Sequence, residues 1–189
     1  MPAGADFDEL LAVLELRQTE ENTFFGSHPS KNPIRTFGGQ MMAQAFVAGS
    51  RTVSPKVPPN ALSAHFIAGG DPEKDLRFDV VHLRDERRFA NRRVDVSQDG
   101  VLLTTVLLSY MSAGPGLEHN IPVPDVPQPH GLPKIDDLLV GYEQTVPLFV
   151  EALRPIEWRY TNDPAWVMRD KGERLEHNRV WMTSEGKMP

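Results

Sequence analysis

Apolar residues at Phe7, Leu10, Leu11 and Leu14 recur at helical spacing and predict a short packing helix, with Asp6 as its N-cap. Thr23-Phe24-Phe25-Gly26 reads as a strand, followed by an irregular segment from Ser27 to Thr36 that contains Pro29 and Pro33. The pattern changes at Phe37. From Gly38-Gly39 onward, Gln40-Met41-Met42-Ala43-Gln44-Ala45-Phe46-Val47-Ala48 carries no charge and no proline, and Val47 is its first β-branched residue. That run predicts a helix from near Gly39 to near Arg51, stopped by Gly49, Ser50 and Pro55. Met41, Met42, Ala45, Phe46 and Ala48 cover most of its circumference, and only Gln40 and Gln44 make a polar stripe. A helix apolar nearly all round is buried nearly all round. Too few helices follow to bury it in a bundle, so a sheet is expected to wrap it.

Four strands are predicted next. From Ala61 to Ala68, Leu62, Ala64 and Phe66 share one face, with Ser63 and His65 on the other, and Gly69-Gly70-Asp71-Pro72 turns the chain. Leu76, Phe78 and Val80 alternate with Arg77 and Asp79, up to a turn at Asp85-Glu86. The third strand, Phe89 to Ser97, puts Arg88 and Arg92 on one face and Arg93 and Asp95 on the other. Gln98-Asp99-Gly100 is a hairpin signal, and Val101 to Met111 reads as a long apolar strand buried on both faces. Turns this short force antiparallel pairing. The layout is α+β, an antiparallel sheet rolled round a central helix.

Residues 112 to 133 are rich in proline and glycine and predict a semi-rigid, extended linker. Beyond it, Asp136 to Arg154 is helical in pattern, with Pro147 expected to kink or divide it. Ile156, Trp158 and Tyr160 alternate with charges as a half-buried strand would, Asp163-Pro164 and Lys171-Gly172-Glu173-Arg174 mark loops, and Val180 to Thr183 is one more strand. One helix and two strands are too little to close a core of their own.

Composition narrows the function. The 189 residues include no cysteine, which removes disulfides, thiolate metal sites and a cysteine nucleophile and fits a reducing, cytoplasmic setting. Met1 to Asp8 has neither a basic nor an apolar region of the secretory kind, and no apolar run approaches the ~20 residues of a membrane span. A net charge of −6 argues against a nucleic-acid partner. Between Glu21 and Asp71, however, there is no acidic residue, while Lys31, Arg35, Arg51 and Lys56 lie inside that interval. The central helix therefore occupies an electropositive stretch suited to an anionic ligand.

The run Thr36-Phe37-Gly38-Gly39-Gln40-Met41-Met42-Ala43-Gln44-Ala45 resembles the Phe-Gly-Gly-Gln signature of the type II acyl-CoA thioesterases. The resemblance continues through His65-Phe66, Gly70-Asp71, Leu83-Arg84-Asp85 with Phe89, Arg92, Arg93 and Val94, then Gly116-Leu117-Glu118-His119 and Arg179-Val180-Trp181. It implies a double hotdog, two copies of a helix wrapped by an antiparallel sheet and joined by a linker. On this chain it implies an N-terminal hotdog over 1–113, a Pro-rich linker and helix over 114–154, and the opening strands of a second hotdog over 155–189. It also implies hydrolysis of fatty acyl-CoA to fatty acid and CoA by the parent protein. The family's catalytic aspartate, threonine or serine, and glutamine belong to the second copy, beyond the matched residues, so no catalytic residue is assigned here. The alternative is a non-catalytic hotdog module for acyl-CoA binding or assembly.

Several residues are candidates for substrate binding. Gly38 and Gly39 at a helix start can present backbone N–H groups to a thioester oxygen or a phosphate, or let the chain pass close to the sheet. Gln40 and Gln44 can position a carbonyl or satisfy buried backbone groups. His65 is a candidate base without a visible partner. Arg84, Arg87, Arg88, Arg92 and Arg93 form a basic cluster suited to the phosphates of CoA, with Arg87 and Arg88 its centre, or else a solvated hairpin with local ion pairs. No metal-ligand spacing and no cofactor fingerprint occurs. An uncovered sheet edge predicts a homo-oligomer.

Overall fold

The computed structural model describes residues 7–29, 35–142, 156–174, 176–184 and 186. Residues 8–117 form one compact unit and the described residues from 118 onward belong to a second. In the first, α1 (Phe7–Leu14) leads into β1 (Arg17–Glu20) and β2 (Thr23–Gly26), then α2 (Gly38–Ser50), β3 (Pro59–Phe66), β4 (Leu76–Asp85), β5 (Phe89–Gln98) and β6 (Val101–Met111). The six strands make one antiparallel sheet in the order β1-β2-β4-β5-β6-β3. It wraps α2. Met41, Ala45 and Ala48 of the helix join Phe24, Leu76, Phe78, Val94, Val96, Val106 and Leu108 of the strands in one core. No residue of α2 is exposed, as its all-round apolar sequence requires. This is the hotdog arrangement.

Two hydrophobic faces are covered less than the sequence suggests. β6 is buried on one side only. Thr104, Val106, Leu108 and Tyr110 are buried, while Leu102, Leu107 and Met111 are exposed. The expectation of burial on both faces is therefore corrected, because α2 occupies one side of the sheet and none of the described residues of this unit covers the other. β3 also differs. Leu62, Ala64 and Phe66 share the helix-side face, since Ala64 packs on the core. Even so, Leu62 and Phe66 are 42% and 55% exposed. β3 is the sheet edge, and α2 does not extend far enough to cover it.

Arg92 lies opposite Arg93 and Asp95, as its place in the strand predicts. It shares its side of β5 with Ala90, Val94 and Val96, and this is the helix side, where Arg92 is only 2% exposed. The hairpin at Asp99-Gly100 forms as expected, with φ of +49° and +81°, the pair of positive values that a type I′ turn needs.

In the second unit, α3 (Ile135–Leu138), β7 (Ile156–Tyr160), α4 (Ala165–Asp170) and β8 (Val180–Ser184) follow, with β7 and β8 paired antiparallel. The linker segment is pinned to β7 and β8. Trp181 Nε1 donates to the Pro127 carbonyl at 2.9 Å, and Arg159 donates to Leu132. Trp166 of α4 meets the Tyr160 ring edge-on, with centroids 5.6 Å apart. The helix expected over Asp136 to Arg154 has one described turn, α3. Gly141, at φ +87°, follows that turn, and residues 143–155, including Pro147, lie outside the described residues. Asp6 and Lys31 lie outside them as well.

Candidate functional site

The N-terminus of α2 has no side-chain cap. Phe37 holds the N-cap position in extended conformation, and no side chain returns to the first turn. Gln40 and Met41 N–H groups reach back to the Phe37 carbonyl, which leaves Gly38 and Gly39 N–H groups without an acceptor among the described residues. Both glycines also sit close against aromatic rings. A Cβ on Gly38 would stand 2.9 Å from the Phe66 ring, and one on Gly39 would stand 2.4 Å from the Phe37 ring. The glycine pair thus combines close ring packing with N–H groups that have no acceptor among the described residues.

A depression of about 340 Å³ opens beside this turn, lined by Thr36, Gly38, Met41, Phe66, Ile67 and Gly69 among others. Its lining is mostly apolar and holds no ionisable side chain among the described residues. The Thr36 hydroxyl at its wall is buried and unpartnered among the described residues. Donors at the positive end of a helix, with no acidic residue in the first turn, stabilise negative charge on an oxygen. The site can polarise a carbonyl, and among the described residues it has no group that would activate water.

The other candidates are placed elsewhere. Gln40 donates to Ser27 O (3.1 Å) and Gln44 Oε1 (3.3 Å) and lies 3.2 Å from His28 Nδ1. Gln44, fully buried, donates to Val13 O and Ser27 O. Both glutamines are engaged with the protein itself. His65 stands across from Thr105 on the outer face of the sheet, away from α2, and its ring has no hydrogen bond among the described residues.

The arginines sort by partner. Arg84 pairs with Glu86, Arg92 with Asp85 and Arg93 with Asp95. Arg92 also donates to Thr52 Oγ1, Thr52 O, Arg84 O and Asn91 O, so it ties the end of α2 to β4 and is not available to a ligand. Its hydrogen bond holds the Asp85 carboxyl below the usual range. Arg87 and Arg88 are exposed and carry no ion pair among the described residues. They lie at the β4–β5 hairpin, where Arg88 O accepts from Ser112 N, whereas Gly38 meets Phe66 at the opposite end of the β3–β6 ladder. Eight strand residues separate the two ends, about 25 Å. The structure therefore does not bring Gly38, Gly39, His65, Arg87 and Arg88 into one pocket. His28, which sequence reasoning passed over, is the ring that completes the Gln40 contacts. Its partners are 12 and 46 residues away, so no local spacing reveals it.

Residues 28–113 match the acyl-CoA thioesterase N-terminal domain family. Human acyl-coenzyme A thioesterase 8 is 32% identical over 131 residues, 69% of this chain and 41% of that protein. Acyl-CoA thioesterase 2 of Haemophilus influenzae is 27% identical over 188 residues, 96% of this chain and 64% of that protein. Among solved structures, acyl-CoA thioesterase II TesB2 from Mycobacterium marinum superposes with a TM-score of 0.69 at 27% identity, over 95% of this chain and 60% of that one. The chain thus spans less than two thirds of the length of each of these relatives.

Proposed function

We propose, from the match of residues 28–113 to the acyl-CoA thioesterase N-terminal domain family, that this chain is the acyl-CoA-binding first hotdog of a thioesterase that hydrolyses fatty acyl-CoA to fatty acid and CoA. The observation that carries this is the uncapped first turn of α2, with its two glycine N–H groups beside an apolar depression. A thioester carbonyl oxygen placed there gains negative charge as water attacks its carbon, and the helix end stabilises that charge until the CoA thiolate leaves. The acyl or pantetheine chain lies against Met41, Phe66 and Ile67. Arg87 and Arg88, about 25 Å away along the strands, meet the phosphates of CoA and not the thioester.

In this reading residues 1–113 are the first hotdog, 114–154 its linker and helix, and 155–189 the opening of a second. The groups that activate water come from that second hotdog, since none of the described residues lining the α2 depression could do so. The protein works in the cytoplasm, in fatty acid metabolism, and as a homo-oligomer that covers the β3 edge. Among the described residues no helix is long and apolar enough to cross a membrane.

The test is thiol release from a medium-chain acyl-CoA by this chain and by a chain extended through a second hotdog. Activity confined to the extended chain supports the reading. Comparable turnover by the 189-residue chain, abolished by His65→Ala, overturns it. The second reading, a module that binds acyl-CoA without turning it over, is favoured by the absence of any ionisable group among the described residues that line the depression. It predicts calorimetric binding of an acyl-CoA thioether with no hydrolysis even by the extended chain.

A further inference from the structure

We infer that His28 is a positioning residue for the first turn of α2, and that only its neutral ring completes the hydrogen-bond chain that holds Gln40. The chain of protons is determined from its ends. Gln44 Nε2 lies 2.8 Å from Val13 O and 2.9 Å from Ser27 O, two backbone carbonyls that can only accept. The orientation of the Gln44 amide is therefore fixed, and its Oε1 faces Gln40. Gln40 Nε2 approaches that oxygen and Ser27 O, so it too must be the NH2 group. Its two protons are shared among three acceptors, the third being His28 Nδ1 at 3.2 Å. His28 Nδ1 then carries a lone pair, the ring proton sits on Nε2, and Nε2 donates to the Lys74 carbonyl at 2.9 Å. Backbone carbonyls close both ends, so no rotation of the side chains reverses the order.

A second proton on His28 has no place in this arrangement. On Nδ1 it would face the Gln40 NH2 group. Turning the Gln40 amide to offer Oε1 would set that oxygen against Ser27 O and Gln44 Oε1, two further acceptors. Gln40 is the third residue of α2 and follows Gly38 and Gly39 directly. Protonation of His28 therefore removes one of the three acceptors of Gln40 Nε2 and sets a charged N–H against the amide that ties this turn to Ser27, just past β2.

Among the described residues, the charged groups that act on the ring come from one loop. Asp71 and Asp75 act on it and favour the charged form. Lys74 offers only its carbonyl, its ammonium being held by Asp99 and Asp71. Asp75 is shared with Arg17 of β1 at 3.9 Å. From α2 only the uncharged Gln40 contacts the ring. Burial outweighs the two aspartates and pushes the His28 pKa below its ordinary value of 6.5. The first turn is thus held at neutral pH and loosened by acid. The consequence for thioester binding rests on the function proposed above, so the test is read on the chain's own resonances and the two can fail separately.

In long-range 1H–15N spectra of the 189-residue chain at pH 8, His28 should show the tautomer protonated on Nε2. On titration to pH 5, the Gly38 and Gly39 amide resonances should move in a single transition coincident with the His28 ring, with its midpoint below 6.5. His28→Asn, which keeps an acceptor near the Nδ1 position and cannot titrate, should leave both glycines flat. His65→Ala should leave the transition in place. The Nδ1-protonated tautomer, glycine resonances that stay still while His28 titrates, or a transition lost in His65→Ala would each overturn the inference. If His28→Asn does not fold, the wild-type coincidence and the tautomer still decide.

Discussion

Arg92 reaches the Asp85 carboxylate at 2.6 Å from a position 2% exposed, while Asp85 itself is 54% exposed. The pair joins a buried cation to a half-solvated anion, and the guanidinium spends its other donors on Thr52, Arg84 and Asn91. Arg92→Ala removes all of these at once and leaves part-buried acceptors unpaired. We expect a loss of about 2–4 kcal/mol in urea unfolding. Asp85→Asn keeps an acceptor and should lose about 1–2 kcal/mol. Equal losses from the two variants would show that the Asp85 contact, and not the ties to Thr52, dominates.

Stability should fall with acid in two separate windows. His28 has a folded pKa below 6.5, so the unfolded chain takes up the proton first. Its contribution is complete above about 6.5 and declines as the pH drops from there towards the folded value. Asp79, held down by Arg77, and Asp85, held down by Arg92, have folded values below 3.8. Their contribution is present above 3.8 and is lost as the pH falls through those lower values. Urea midpoints should therefore be lower at pH 5.5 than at pH 7.5 in the wild type and nearly equal in His28→Asn. A wild type with equal midpoints contradicts the first window.

Arg87→Ala and Arg88→Ala should each weaken CoA binding about three- to tenfold in calorimetry, less at high salt. Arg93→Ala should change it little, because Arg93 already pairs with Asp95 at 3.1 Å. A larger effect at Arg93 than at Arg87 and Arg88 would move the phosphate site to the outer face of the sheet.

The chain should self-associate as its concentration rises, because β3 leaves Leu62, Phe66 and Ile67 exposed along an unpaired edge. Light scattering of Leu62→Lys should shift towards monomer. A wild type that stays monomeric at high concentration contradicts the association.

The central helix was legible because its run of uncharged, mostly unbranched residues has no other stable use. The Asp99-Gly100 turn was legible because few residues tolerate its two positive φ values. The parity of Arg92 was also readable, opposite Arg93 and Asp95. Its burial was not, although Val94 and Val96 on the same parity were a signal that this side faces the helix. The one-sided burial of β6 and the bare face of β3 depend on how far α2 extends across the sheet, which no alternation within a strand records. At the candidate site, the glycine pair announced itself in the sequence. The separation of Gly38 from Arg88 and the grip of His28 on Gln40 required the strand register and contacts far apart in the chain.

The two margins of the sheet are unlike. β1 is four residues long, Arg17-Gln18-Thr19-Glu20, wholly exposed and charged at both ends, whereas β3 runs for eight residues with large apolar side chains beside it. A strand added at β1 would find little backbone to pair with and would bring its own side chains against charge. Growth by strand addition is thus open on one flank and shut on the other. Two such sheets meeting at β3 present only their β1 flanks outward, so the assembly ends at a closed pair and does not propagate as a fibre.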